Sequence, residues 1–179
     1  SEVKFADKSN RVFGIQGLGS GITYNEVTKT NNGDVDAPRD IIVSGKLPDR
    51  NGNFSNIIQG HDNIKDVIAS PEPYLSTLIG RYGNRIAKGK FQLNGKGYEL
   101  FVNNGPNSLH GGKQGWNAKV WDAIQMNSHE LSLTYVSPYG EEGYTGEVKC
   151  HVTYTLTEDN ELVINYLASS NKRTILNLT

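Results

Sequence analysis

Three side chains near the middle of the chain combine types and spacing suited to ligand chemistry: Asn84, Arg85 and His110. The first two lie in Gly80-Arg-Tyr-Gly-Asn-Arg-Ile86, and the third lies in Asn103-Asn-Gly-Pro-Asn-Ser-Leu-His-Gly-Gly112. Arginine presents a rigid fork of donors, and asparagine presents a donor and an acceptor side by side. Histidine donates, accepts or shuttles a proton near neutral pH. The surrounding glycines let backbone come close to a ligand. This chemistry suits a neutral polyol. Taken singly, each cluster also reads as a solvated strand end or a Gly-Gly turn. Two of them flanking one hairpin favour a shared site.

That hairpin is legible from periodicity. Phe91 and Leu93 alternate with polar residues, Asn94-Gly95 is a strong two-residue turn signal, and Tyr98, Leu100 and Val102 alternate again. Arg85 and His110 are 25 residues apart in sequence (110 − 85), yet the hairpin brings its ends together. The expectation is that Asn84, Arg85 and His110 converge on one pocket at the concave face of a β-sheet.

The elements around them read as one all-β domain over residues 1–179. Twenty glycines, nine tyrosines and 36% hydrophobic content fit a turn-rich β protein. A net charge of −1 with no basic run argues against nucleic acid or an anionic membrane as the main partner. No apolar run approaches the roughly 20 residues of a membrane span. His61, His110, His129 and His151 show no metal-ligand spacing, so neither metal nor cofactor is expected. Cys150 is the only cysteine, which makes a reducing, cytoplasmic compartment the default and secretion the alternative. Asn53-Phe-Ser55 and Asn177-Leu-Thr179 match the glycosylation acceptor pattern.

In chain order, strands are predicted at 12–15, at 40–44 and at 56–60, and another starts at 22–24; a turn at 48–52 separates the second from the third. Gly17 to Gly21 reads as a flexible turn, since it lacks the Lys-Ser/Thr ending of a phosphate loop. His61 reads as a solvent-facing loop residue. One or two helical turns are expected over 63–70, stopped by Pro71 and Pro73. Trp116 and Trp121 offer rings that could stack on a sugar, with Trp121 placed in the core by its alternating run. A strand runs through 130–135 after a turn containing His129. Glu141 and Glu142 point apart as neighbours and read as surface acidity. The strongest hairpin joins 147–156 to 162–168. Val148, Cys150, Val152, Tyr154 and Leu156 form one face, and Leu162, Ile164, Tyr166 and Ala168 form the matching one. Cys150 is then a buried structural thiol, and His151 is an exposed strand residue on the opposite face.

Several of these segments, in order, resemble the aldose 1-epimerases, or galactose mutarotases. The family pattern runs through Gly80 to Ile86, Phe91 to Leu100, Asn104 to Gly112 and Gly115 to Trp121. Ser137-Pro-Tyr-Gly-Glu-Glu-Gly-Tyr-Thr-Gly146 resembles a family loop, with Thr145 where proline is usual. The resemblance implies a large antiparallel β-sandwich and interconversion of α and β anomers of galactose or glucose. It implies that Asn84, Arg85 and His110 bind the sugar, with His110 also serving catalysis. In the family an Asn-Leu-Thr segment leads directly to the histidine general acid, and a glutamate base follows much later. Both would lie beyond Thr179. The chain is therefore expected to be an incomplete sandwich whose partner is the remaining C-terminal part of the same domain. The alternative is a non-catalytic carbohydrate-binding module or an inactive fragment.

Overall fold

The computed structural model describes residues 2–6, 12–16, 44–56, 59, 66, 69–75, 77–159 and 161–179, with backbone alone at 2–6, 12–16, 44–48 and 54–56. The predicted strand at 22–24, the glycine loop at 17–21 and His61 lie outside these residues, as does most of the helix predicted over 63–70. Strands β1 (Glu2–Ala6), β2 (Val12–Gln16), β3 (Ser44–Pro48) and β4 (Phe54–Asn56) form one antiparallel sheet in the order β2-β1-β3-β4. The strand predicted at 12–15 is thus present. β3 begins at the last residue of the 40–44 prediction and β4 ends at the first residue of the 56–60 prediction, while 40–43, 57, 58 and 60 lie outside the described residues.

The turn predicted at 48–52 stands between β3 and β4, closed by Asp49. Asp49 Oδ1 accepts the Asn51 and Asn53 N–H groups at 2.7 and 3.0 Å. Gly52 N–H donates to Asp49 O at 3.0 Å. An aspartate closing its own turn fixes hairpin register, so the residues beside it pair, here Pro48 with Phe54 and Lys46 with Asn56.

A second hairpin follows the Asn94-Gly95 signal. Strands β6 (Lys90–Leu93) and β7 (Lys96–Glu99) pair antiparallel, with Phe91 opposite Tyr98 and their rings stacked at 5.0 Å. Asn94 and Gly95 adopt φ of +53° and +76°, the left-handed pair of a type I′ turn. At its base lies a two-residue ladder of β5 (Arg85–Ile86) and β8 (Ser108–Leu109), with Arg85 opposite Leu109.

The largest described sheet has the order β12-β11-β10-β9, from β9 (Asp122–Asn127), β10 (Glu130–Ser137), β11 (Val148–Leu156) and β12 (Leu162–Ser170). Its register matches the predicted faces: Cys150 opposes Ala168, Val152 opposes Tyr166 and Tyr154 opposes Ile164. Leu131, Leu133, Val148, Cys150 and Val152 are at most 1% exposed. Burying a side chain of this kind is worth roughly 1.5–3 kcal/mol. Burial pushes the Cys150 thiol up to about 11, in keeping with a structural cysteine. Leu78, Trp116 and Trp121 cover the same face. The two indoles meet edge-on at 5.6 Å, and Tyr135 packs against both. Trp116 is thereby a core residue, 2% exposed, and is not available for stacking on a ligand. His151 is half-buried rather than exposed, because Thr134 faces it across β10 and their side chains bond at 3.0 Å.

The chain crosses this core on a buried arginine. Arg81 donates from Nε to Ser137 Oγ (2.8 Å), from Nη1 to Thr145 O (2.9 Å), and from Nη2 to Ser137 O (3.1 Å) and Pro138 O (2.7 Å). Glu141 faces the same cluster. Tyr135 and Ser137 hydroxyls donate to it, and Lys119 Nζ lies 3.0 Å from its Oε1. Burial alone would raise the Glu141 carboxyl, but these three partners outweigh it and hold the group below its ordinary value. Glu141 is therefore an anchor beneath the surface and not surface acidity. The segment ending at Thr179 runs beside the arginine as well. Ile79 and Thr179 exchange backbone bonds at 2.7 and 3.3 Å, and Asn177 N–H donates to Arg81 O at 2.9 Å.

Removing the guanidinium should leave three backbone carbonyls and a buried carboxylate underpaired. Arg81→Met is expected to lower unfolding free energy by about 3–5 kcal/mol, read from urea denaturation. A loss under about 1 kcal/mol would show that the network contributes little.

Candidate functional site

His110 sits at the tip of a tight turn. Gly112 N–H donates to Leu109 O at 3.1 Å, closing Leu109-His-Gly-Gly112. His110 and Gly111 take φ of +52° and +94°, again the type I′ pair. This region is costly for a residue with a Cβ and is met mostly in glycine, asparagine and aspartate. Gly111 is irreplaceable for a second reason: a Cβ there would overlap Gly80 O. The turn is thus pressed against the segment that carries Asn84 and Arg85.

Asn84 faces His110 across the end of the β5–β8 ladder and is also left-handed, at φ +64°. Two bonds link the pair. His110 N–H donates to Asn84 O at 3.1 Å, and Asn84 N–H donates to His110 Nδ1 at 3.0 Å. A backbone N–H can only donate, so Nδ1 must be the unprotonated ring nitrogen. The imidazole is therefore the neutral tautomer with its proton on Nε2. Burial and then the Arg85 charge both push the His110 pKa below its ordinary value, which reinforces that state. Tyr74 packs its ring 4.6 Å from the imidazole at a tilt of 58° and supplies part of the desolvation.

Arg85 is oriented by two asparagines. Its Nε donates to Asn104 Oδ1 at 2.9 Å and its Nη1 to Asn84 Oδ1 at 3.2 Å. Among the described residues nothing engages Nη2. Asn84 and Arg85 are exposed and His110 is half-buried. The three predicted residues come together, as the hairpin argument required. Among the described residues, however, they form an open patch at a two-residue ladder, with no concave face of a broad sheet around them. The short ladder follows from the left-handed residues at its end, which stop further pairing.

Sequence reasoning did not single out Tyr74, Asn103 or Asn104. Asn103 and Asn104 lay inside the quoted motif, but their side-chain targets depend on the turn at 104–107, where Asn107 N–H meets Asn104 O at 2.9 Å. Tyr74 gives no periodic signal. Among the described residues no group of three His, Cys, Asp or Glu gathers as a metal site would require. The open arrangement, a neutral N–H donor beside a fixed guanidinium, can grip neutral oxygens and stabilise negative charge growing on one of them.

Comparison with known proteins bears on what those oxygens belong to. The aldose 1-epimerase family model matches residues 41–179. A galactose mutarotase of Sus scrofa is 45% identical over 138 residues, covering 77% of this chain and 40% of that protein. An aldose 1-epimerase of Haemophilus influenzae is 40% identical over 108 residues, covering 60% of this chain and 32% of that protein. In fold, a crystal structure of an aldose epimerase homologue from C. elegans matches 99% of this chain and 48% of its own length, with a TM-score of 0.71 at 24% identity. The antiparallel β-sandwich implied by the resemblance is accordingly the fold of this chain. The chain spans about two-fifths of the length of the mammalian relatives it matches.

The histidine geometry has a measurable pH signature. With the folded-state pKa below the ordinary 6.5, the group contributes stability that is fully present above that value. The contribution is lost as pH falls through the lower, folded-state pKa. An NMR titration should place the His110 midpoint below 6.5, and the urea midpoint should drop between about pH 7 and about pH 5 more steeply than in His110→Asn. A His110 midpoint above the ordinary value would contradict the assigned tautomer.

Proposed function

The chain belongs to the aldose 1-epimerase family, and from that premise we propose that the whole protein interconverts the α and β anomers of aldohexoses such as galactose and glucose. In this reading Asn84, Arg85 and His110 hold the sugar. The observation that carries it is the bond from Asn84 N–H to His110 Nδ1, which leaves Nε2–H as a fixed neutral donor beside the Arg85 guanidinium. A neutral donor suits a neutral substrate: it binds an ether or hydroxyl oxygen without the cost of burying an imidazolium.

The reaction follows from acid–base chemistry at C1. A base takes the proton of the C1 hydroxyl while an acid protonates the ring oxygen. The bond between C1 and the ring oxygen breaks, its electron pair stays on oxygen, and C1 becomes an aldehyde carbon. After rotation about C1–C2 the steps reverse, and the ring closes on the other face. His110 Nε2–H and Arg85 bind the oxygens around this centre and stabilise charge building on the ring oxygen. Each positioned acid or base adds on the order of a hundredfold to ten-thousandfold. We assign the acid and the base to chain outside these 179 residues, and the partner of this portion is then the rest of the same domain. The coverage of the mammalian relatives, about two-fifths, supports that assignment.

In the full-length protein, His110→Ala and Arg85→Ala should each lower kcat/KM for anomer interconversion at least about tenfold, roughly 1.4 kcal/mol of transition-state binding. Polarimetry of freshly dissolved α-galactose measures this directly. Unchanged rates in both variants would reject the assignment of these residues to the sugar.

A further inference from the structure

The turn that carries His110 is held at both flanks by two side chains that touch none of the proposed sugar-binding groups. Asn103 Oδ1 accepts Leu109 N–H at 2.7 Å, and Asn103 Nδ2 donates to Leu109 O at 3.0 Å and to Gly112 O at 2.8 Å. One amide thus binds the residue before His110 twice and the end of its turn once. Glu142 acts from the opposite side, where its Oε2 accepts Lys113 N–H at 2.7 Å. Gly112 O and Lys113 N belong to the same peptide group. Both poles of that peptide are therefore occupied, one by Asn103 and one by Glu142. Glu142 is itself left-handed at φ +49°, in the loop that Arg81 anchors. The fit is close enough that a Cβ on Gly112 would overlap the Glu142 carboxylate.

We propose that Asn103 and Glu142 are positioning residues for His110, a two-sided clamp that keeps its turn left-handed and its Nδ1 on the Asn84 N–H. A type I′ turn with histidine at its first central position is unfavourable by itself. Without the clamp the turn relaxes, the Nδ1 bond is lost, and both neutral tautomers become populated. Nε2–H is then no longer fixed as the donor. The role in catalysis rests on the proposed mutarotase reading; the role in setting the tautomer does not.

The experiment uses the full-length protein with two readouts. Nitrogen-15 NMR of the histidine rings reports the tautomer, and polarimetry reports anomer interconversion. Wild type should show His110 Nδ1 as a non-protonated ring nitrogen. Asn103→Leu, which removes three bonds at an exposed residue and opens no core cavity, should move His110 toward a mixture of tautomers. It should also lower kcat/KM at least about tenfold. Asn103→Asp keeps the acceptor for Leu109 N–H, loses both donations, and should fall between the two. Glu142→Ala should behave as Asn103→Leu does, whereas Glu142→Gln, which still offers an oxygen to Lys113 N–H, should restore the wild-type spectrum and rate. If Asn103→Leu does not fold, the His110 spectrum of Asn103→Asp decides the matter. A folded Asn103 variant with an unchanged His110 spectrum would overturn the proposal. A wild type lacking mutarotase activity but showing these spectral changes would overturn the proposed function and leave the clamp standing.

Discussion

The structure depends on the burial of one cation. Arg81 is 1% exposed, and a guanidinium at that depth is tolerable only if its N–H groups are satisfied and its charge is balanced. Three carbonyls or hydroxyls at Ser137 and Pro138, with Thr145 beyond, take the N–H groups, while Glu141 supplies the charge. Those partners belong to the end of β10 and to the loop after it. The requirement thus fixes where the 137–145 loop lies relative to the Gly80–Ile86 segment. Lysine would not substitute, because a point charge cannot hold four acceptors in a plane.

From that anchor the constraint passes to the site through backbone contacts rather than through a chain of long side chains. Gly80 lies one residue before Arg81, and its carbonyl is what bars a Cβ on Gly111. Trp116 N–H donates to that same carbonyl at 3.1 Å. The arginine, the tryptophan core and the histidine turn therefore meet at one peptide oxygen. Close-packed interiors transmit small displacements, so the position of His110 is tied to the core and not only to its own loop.

Much of this was legible in the sequence, for definite physical reasons. The Asn94-Gly95 turn and the alternating face from Val148 to Leu156 announce themselves through strict period and turn chemistry, and both stand in the structure. The meeting of Asn84, Arg85 and His110 followed from hairpin closure. Errors arose where tertiary partners overrode local expectation. Glu141 looked like surface acidity because its adjacency to Glu142 says nothing about a buried arginine 60 residues upstream (141 − 81). Trp116 looked available to a ligand because its partners, Trp121 and Tyr135, come together only when the sheet forms. Asn103 could not be read at all, since its three bonds go to backbone groups whose placement depends on the His110 turn.

The distribution of strain follows a pattern that packing alone does not require. Asn84, His110 and Glu142 are three of the five described non-glycine residues with positive φ. Residues held in such conformations each cost of order 1–3 kcal/mol. These three are consecutive links in one set of bonds, running from Asn84 to His110, along the turn to the 112–113 peptide, and on to Glu142. A patch this open to solvent would otherwise sample many side-chain arrangements, and a ligand would have to order them on binding. Holding the backbone in sparsely populated wells removes those alternatives in advance. The stability for it comes from the arginine network and the apolar sheet beneath. A neutral ligand of the kind proposed offers no charge to organise its own site, so donors fixed in advance lower the ordering cost of binding it.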